Sequence, residues 1–133
     1  MFTLKTKGYL QAFLVILSTS DFHASLDRAE GLFETVQVAR KQYGKNVLHL
    51  DGGDLFQGSL ESEISRGKAV VDFYNLLGVD AAAVGNHELD YSYDSLIKQY
   101  KCARYAWLAA NFKKNRKNVF KSTKVFFRNG KKV

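Results

Sequence analysis

Val84-Gly85-Asn86-His87-Glu88-Leu89-Asp90 decides how this chain is read. It follows the apolar run Ala81-Ala82-Ala83-Val84, and it sets a carboxamide, an imidazole and two carboxylates within five residues. A short apolar run closed by Gly reads as a buried strand that has just ended. Polar groups able to bind a metal or move a proton then stand at its carboxyl end, where open parallel α/β sheets place their ligands. Two earlier stretches repeat the arrangement: Asp21-Phe22-His23 and Gly53-Asp54-Leu55-Phe56-Gln57-Gly58-Ser59.

Working outward, strands are expected at Ala12–Ser18, Asn46–Leu50, Asp80–Val84 and Ala106–Ala110, the last closed by Asn111. Between them, Ala29, Leu32, Phe33, Val36, Ala39 and Tyr43 recur at helical spacing, after an acidic start at Asp27-Arg28-Ala29-Glu30 of capping-box type, and Gly44 stops that helix. A short helix covers Leu60–Ser65. A second, Lys68–Leu77, buries Val70, Val71, Phe73, Tyr74 and Leu77 and ends at Gly78. A third runs from Tyr93 to Ala103. Asn115–Lys121 reads as loop, and Asn129-Gly130 between strand-like runs signals a hairpin. Alternating strands and helices predict an α/β fold with a mostly parallel sheet and right-handed crossovers.

In a parallel sheet the carboxyl ends share one edge, so residues far apart in sequence meet there. Asp21, His23, Asp54, Asn86, His87 and Asn111 would converge, giving a mixed oxygen and nitrogen set suited to Mn²⁺, Zn²⁺ or Fe. Each is weak alone. Asp21 could cap a turn, Asp54 could sit in a tight Gly-rich loop, and Asn111 reads as a strand end. Joint occurrence favours a metal site. His49 lies inside the second strand and reads as a core or sheet-surface residue; Glu88 receives no role. With three histidines in the chain, a two-metal site is short of ligands.

Bulk composition narrows the rest. At 133 residues with 46% hydrophobic content, the chain is one globular domain. The single Cys102 excludes an internal disulfide and a thiolate zinc site. The net charge of +7 sits in the tail: nine Lys or Arg and no acid follow from Lys113 onward, leaving eleven bases against thirteen acids before it. A solvated lysine-rich hairpin is favoured over a phosphate-rich partner. Lys5 and Lys7 before Tyr9–Ser18 look like a short leader, but cleavage near Ser20 would remove the strand that carries Asp21 and His23. The segment is therefore read as strand, too short to span a bilayer as a helix.

Asp21-x-His23, Gly53-Asp54-x-x-Gln57-Gly58-Ser59 and Gly85-Asn86-His87-Glu88 together resemble the first three blocks of the calcineurin-like metallophosphoesterases. Glu88-Leu89-Asp90, the Gln-Gly-Ser and Leu108-Ala109-Ala110-Asn111 are similar to the branch of 5'-nucleotidases, UDP-sugar hydrolases and cyclic-nucleotide phosphodiesterases. The resemblance runs from about Phe13 to the end of the sequence. It implies the first half of a four-layer α/β/β/α sandwich with a dinuclear metal site, and a metal-activated hydroxide attacking the phosphorus of a nucleotide or other small phosphoester. By motif position Asp21 and His23 would bind one metal, Asp54 would bridge both, and Asn86 would bind the second. His87 would face the phosphate with Asp90 orienting it. The resemblance also implies later histidine blocks and a substrate domain, which these 133 residues do not contain. The chain is therefore expected to be an incomplete catalytic domain, weakly active or inactive, with the remaining half as its partner. A non-catalytic remnant or basic binding module is the alternative. Neither a specific nucleic acid nor a membrane span is expected; relatives of this type are often periplasmic or extracellular, and the compartment of this chain stays open.

Overall fold

The structure is a computed structural model and describes residues 14–133. Ala12 and Phe13, the start of the expected first strand, lie outside the described residues, as does most of the leader-like segment. Four parallel strands form the sheet in sequence order: β1 (Val15–Thr19), β2 (Val47–Asp51), β3 (Ala81–Ala83) and β4 (Ala106–Leu108). The crossovers carry α1 (Ala29–Tyr43), then α2 (Leu60–Ser65) with α3 (Lys68–Leu77), then α4 (Tyr93–Cys102).

Register explains which face is buried. Asp51, Ala82 and Trp107 stand side by side across β2, β3 and β4. Trp107 and Ala82 pack into one core with Val36 of α1, Val70, Tyr74 and Leu77 of α3, and Leu96 of α4. Neighbouring strand residues point the other way. On that side Ile16 of β1 is 56% exposed, so the helices cover one face of the sheet and β1 leaves apolar surface open on the other. One helix layer on a parallel sheet is the half of the sandwich expected from the sequence.

The helix bounds agree closely with the sequence reading. α2 and α3 begin and end where expected, and Gly78 closes α3 with φ at +73°. The strands β1 and β2 run one residue further than expected, to Thr19 and Asp51, and β4 stops two residues sooner. The extra residues are polar but not solvated. Asp51 accepts hydrogen bonds from Thr19 Oγ1 (2.5 Å), from the Tyr74 hydroxyl (2.9 Å) and from the Gly53 N–H (2.8 Å). Burial and the Asp51 charge push the Tyr74 hydroxyl far above its usual range. Thr19 Oγ1 gives its proton to Asp51, so it accepts from His49 Nε2 at 3.1 Å, which fixes that nitrogen as the protonated one. His49 is fully buried, and burial lowers its pKa. It is thus a core histidine.

Two expectations fail. The capping box at Asp27–Glu30 does not form: Leu26–Arg28 is a 3-10 turn, and α1 starts after Arg28 without a side-chain cap. The stretch read as loop holds a small hairpin, β5 (Lys113–Lys114) with β6 (Lys117–Asn118). Its turn residues Asn115 and Arg116 both have positive φ, at 51° and 64°, the geometry that matches strand twist. The second hairpin, β7 (Phe127–Arg128) with β8 (Lys131–Lys132), turns at Asn129-Gly130 as expected. The basic tail is not wholly solvated. Arg128 donates to Asp80 Oδ1 at 2.5 Å and to the Val47 carbonyl at 3.2 Å, at the amino ends of β2 and β3. Arg40 approaches the same carboxylate at 3.8 Å.

Candidate metal centre

β1 and β2 leave the sheet together. Past their ends the two loops continue as a ladder: Asp21 N–H donates to the Gly53 carbonyl (3.0 Å), His23 N–H to Asp54 (3.1 Å) and Ala24 N–H to Leu55 (2.8 Å). This holds backbone conformations that L-residues rarely adopt. Asp21, His23, Ala24 and Asp54 all have φ between +46° and +62°. Each such residue costs about 1–2 kcal/mol and persists only where its surroundings enforce it. Phe22 anchors the first loop by stacking on Phe73 (5.6 Å) and meeting Tyr74 edge-on (5.4 Å). With Phe22 turned into the core, Asp21 and His23 on either side are left at the surface.

Glycines let the backbones meet. A Cβ on Gly58 would collide with the His23 carbonyl oxygen, and one on Gly85 would collide with Asp54 Oδ1. The Gln57-Gly58-Ser59 stretch therefore brings α2 against the first loop, and Ser59 caps that helix by accepting from the Ser62 N–H.

The third loop then closes on the second. Asp54 Oδ1 accepts from the His87 N–H at 3.0 Å. The Asn86 amide, oriented to satisfy its neighbours, donates to Asp54 Oδ2 at 3.2 Å. His87 Nδ1 lies 2.7 Å from Asp90 Oδ2, which leaves Nε2 as the free nitrogen of the ring. The Asp90 hydrogen bond raises the pKa of His87. His23 and His87 meet edge to face at 4.8 Å between ring centroids.

One potential ligand atom from each of His23, Asp54 and His87 falls within 4.8 Å of the others. Of the residues expected from the sequence, the structure therefore brings together His23, Asp54, Asn86, His87 and Asp90. Asp21 sits at the rim. Its side chain is 65% exposed, accepts from Ser20 Oγ, and reaches within 4.0 Å of His23 Nε2. Asn111 is exposed beyond β4 and hydrogen-bonds none of these residues. An imidazole from His23, the Asp54 carboxylate and the Asn86 carboxamide fit a borderline divalent ion such as Mn²⁺, Zn²⁺ or Fe²⁺, with the His87 ring beside them, and no thiolate is present to favour a softer one.

The residue that sequence reading left without a role is the most deeply placed. Glu88 is fully buried; its Oε1 accepts from the Leu55 N–H (2.6 Å), and its Oε2 accepts from the N–H groups of Asp54 (3.1 Å) and Gly85 (2.5 Å). Burial holds its carboxyl above the ordinary range despite those donors. A signal for it existed. The Gly52–Leu55 loop exposes successive N–H groups after a strand has ended, and buried N–H groups must find acceptors.

A cavity of about 580 Å³ lies away from this cluster. It runs along Asp80, Arg104, Trp107, Lys121, Lys124 and Arg128, and none of the site residues lines it. Among the described residues, no helix is long and apolar enough to cross a membrane.

Known proteins are similar to this chain. Over 118 residues the chain is 36% identical to the 5'-nucleotidase of Mus musculus, an alignment covering 75% of this chain and 20% of that protein. It is 33% identical over 132 residues to protein UshA of Salmonella pullorum, covering 90% and 24%. The crystal structure of a 5'-nucleotidase precursor from Thermus thermophilus superposes with a TM-score of 0.73 at 31% identity, over 90% of this chain and 27% of that one. The chain thus spans about a fifth to a quarter of the length of these relatives. The profile of the calcineurin-like phosphoesterases matches residues 14–132, nearly the whole described chain and every loop of the candidate centre. With all three strand-end loops inside that match, the chain belongs to the calcineurin-like phosphoesterase family and has 5'-nucleotidases among its relatives.

Proposed function

We propose that this chain is part of a metal-dependent phosphoester hydrolase of the 5'-nucleotidase type, acting on nucleotides or related small phosphoesters. The observation that carries the reading is the convergence of His23, Asp54 and His87 within 4.8 Å, from loops that follow three different strands. Asp21 and His23 would hold one divalent ion, Asp54 would be shared between two, and Asn86 would serve the second. When bound, such ions act as Lewis acids on the phosphoryl oxygens and lower the pKa of a water.

The chain's own groups supply the rest. Asp90 takes His87 Nδ1, so Nε2 is the atom left to face the phosphoester and to deliver a proton to its leaving oxygen. Asp54, gripped through its own N–H and through its carboxylate, cannot swing away to solvent. Asp21, His23, Asp54 and Asn86 are too few to complete two metal shells, so turnover by these 133 residues alone is expected to be low. The 36% identity to a 5'-nucleotidase supports nucleotides as the substrate class.

The test is hydrolysis of p-nitrophenyl phosphate and of a nucleoside 5'-monophosphate with Mn²⁺, beside calorimetric Mn²⁺ binding. The reading expects binding, and slow hydrolysis that disappears in Asp54→Ala. Equal hydrolysis by both proteins, or no Mn²⁺ bound by the natural sequence, would contradict it.

A further inference from the structure

We infer that Glu88 is the positioning residue of this centre: its buried carboxylate sets Asp54 against Asn86 and His87, and metal affinity depends on it. The inference rests on the reading above that Asp54 is a metal ligand. Three successive residues of the second loop, Gly53, Asp54 and Leu55, each give their N–H to a buried carboxylate. Asp51 takes the first, from within β2. Glu88 takes the other two, and with the same Oε2 that binds Asp54 it also takes the Gly85 N–H at the start of the third loop. One side chain therefore joins the backbone that aims Asp54 to the backbone that aims Asn86 and His87. The Asp54 backbone conformation needs to be held. Its φ of +62° is unfavourable for a non-glycine residue, and Gly85 stands so close that no side chain could buttress it there.

Glu88 touches neither a reacting atom nor a metal ligand's side chain in these contacts. It acts through the backbone. A Gln at this position would keep the volume but turn one acceptor into a donor facing an N–H, so at least one of the three hydrogen bonds is lost. The Gly53 N–H would keep its bond to Asp51, which makes the expected disturbance local. Groups that orient metal ligands from behind commonly change metal affinity by about 10–100-fold.

The experiment compares the full chain with Glu88→Gln, and with Glu61→Gln on exposed α2 as control, in Mn²⁺ calorimetry, Co²⁺ visible absorption and amide hydrogen exchange. Glu88→Gln is expected to weaken Mn²⁺ by about 10–100-fold, to change the Co²⁺ bands, and to speed exchange at Asp54, Leu55 and Gly85. The control is expected to match the natural sequence in all three. Unchanged affinity and Co²⁺ bands in Glu88→Gln would overturn the proposal. So would exchange at Leu55 and Gly85 in the natural sequence as fast as at exposed loop amides, a result that needs no variant to fold. A natural sequence that bound neither ion would instead sink the metal reading, while amide protection would still decide whether Glu88 holds the loops.

Discussion

The two edges of the four-stranded sheet are built on opposite principles. At the carboxyl edge, polar side chains stand on loops whose backbones are strained and held by hydrogen bonds to one another and to buried carboxylates. At the amino edge, charges pair directly: Asp80 takes Arg128 at 2.5 Å, Arg40 at 3.8 Å, and the His49 N–H at 2.9 Å. The first arrangement fixes where its side chains point and leaves atoms such as His87 Nε2 open. The second consumes its side chains in holding the hairpin and α1 to the sheet. The difference separates a site from a fastening, although both edges are rich in ionisable groups.

The sharpest way to break the distinction is Gly85→Ala. The added methyl would overlap Asp54 Oδ1 and stand only 2.5 Å from the Asp54 nitrogen. We expect a stability loss of about 1–3 kcal/mol together with loss of the Mn²⁺-induced rise in Tm. Retained metal stabilisation in a thermal melt would show that the carboxyl edge tolerates what its packing forbids.

At the other edge, Asp80→Ala removes the carboxylate that pairs with Arg128, 18% exposed, and Arg40, leaving them only backbone carbonyls. Breaking a fully buried pair costs about 3–5 kcal/mol, and partial exposure reduces this to about 2–3. Urea denaturation should show that loss, while Mn²⁺ affinity stays unchanged. A coupled fall in affinity would mean that the edges are not independent.

His49 lies between the edges, and its response to pH is smaller. Its folded pKa is lowered, with burial the largest cause, so the unfolded chain binds the extra proton more readily. Its contribution to stability is full above the unfolded value of about 6.5 and is lost as pH falls from there through the lower folded value. Denaturation at about pH 7.5 and about pH 5 should show a decline that is shallower in His49→Gln. An identical decline in both proteins would assign it to other groups.

The smallest effect concerns α1. Asp27 caps nothing, since the helix starts after Arg28 without a side-chain bond. Asp27→Ala should therefore change stability by less than about 0.5 kcal/mol. A loss near 1 kcal/mol, about the usual worth of an N-cap, would show that the capping box forms in solution.

That case also illustrates what could be read in the residues beforehand. Helix periodicity placed α2 and α3 within their bounds because apolar spacing and the terminating Gly78 act locally. The ends of β1 and β2 were set one residue short because Thr19 and Asp51 are polar; only tertiary structure shows that Tyr74 and His49 satisfy them in the interior. The Asn115-Arg116 turn was hidden because Arg, unlike Gly, gives no sign of a positive φ. In the candidate site, His23, Asp54, Asn86 and His87 were legible as polar residues at strand ends, while Asp21 lies at the exposed rim. The work of Glu88 left only an indirect signal, the N–H groups of the second loop in need of acceptors, because it lies 33 and 34 positions away from them in sequence.

The central claim is that the three loops form one metal centre around Asp54. Mn²⁺ titration of the purified chain, followed by calorimetry beside Asp54→Ala, tests it most directly. The account predicts saturable binding by the natural sequence that is lost in the variant. Indistinguishable titrations of the two proteins would contradict it.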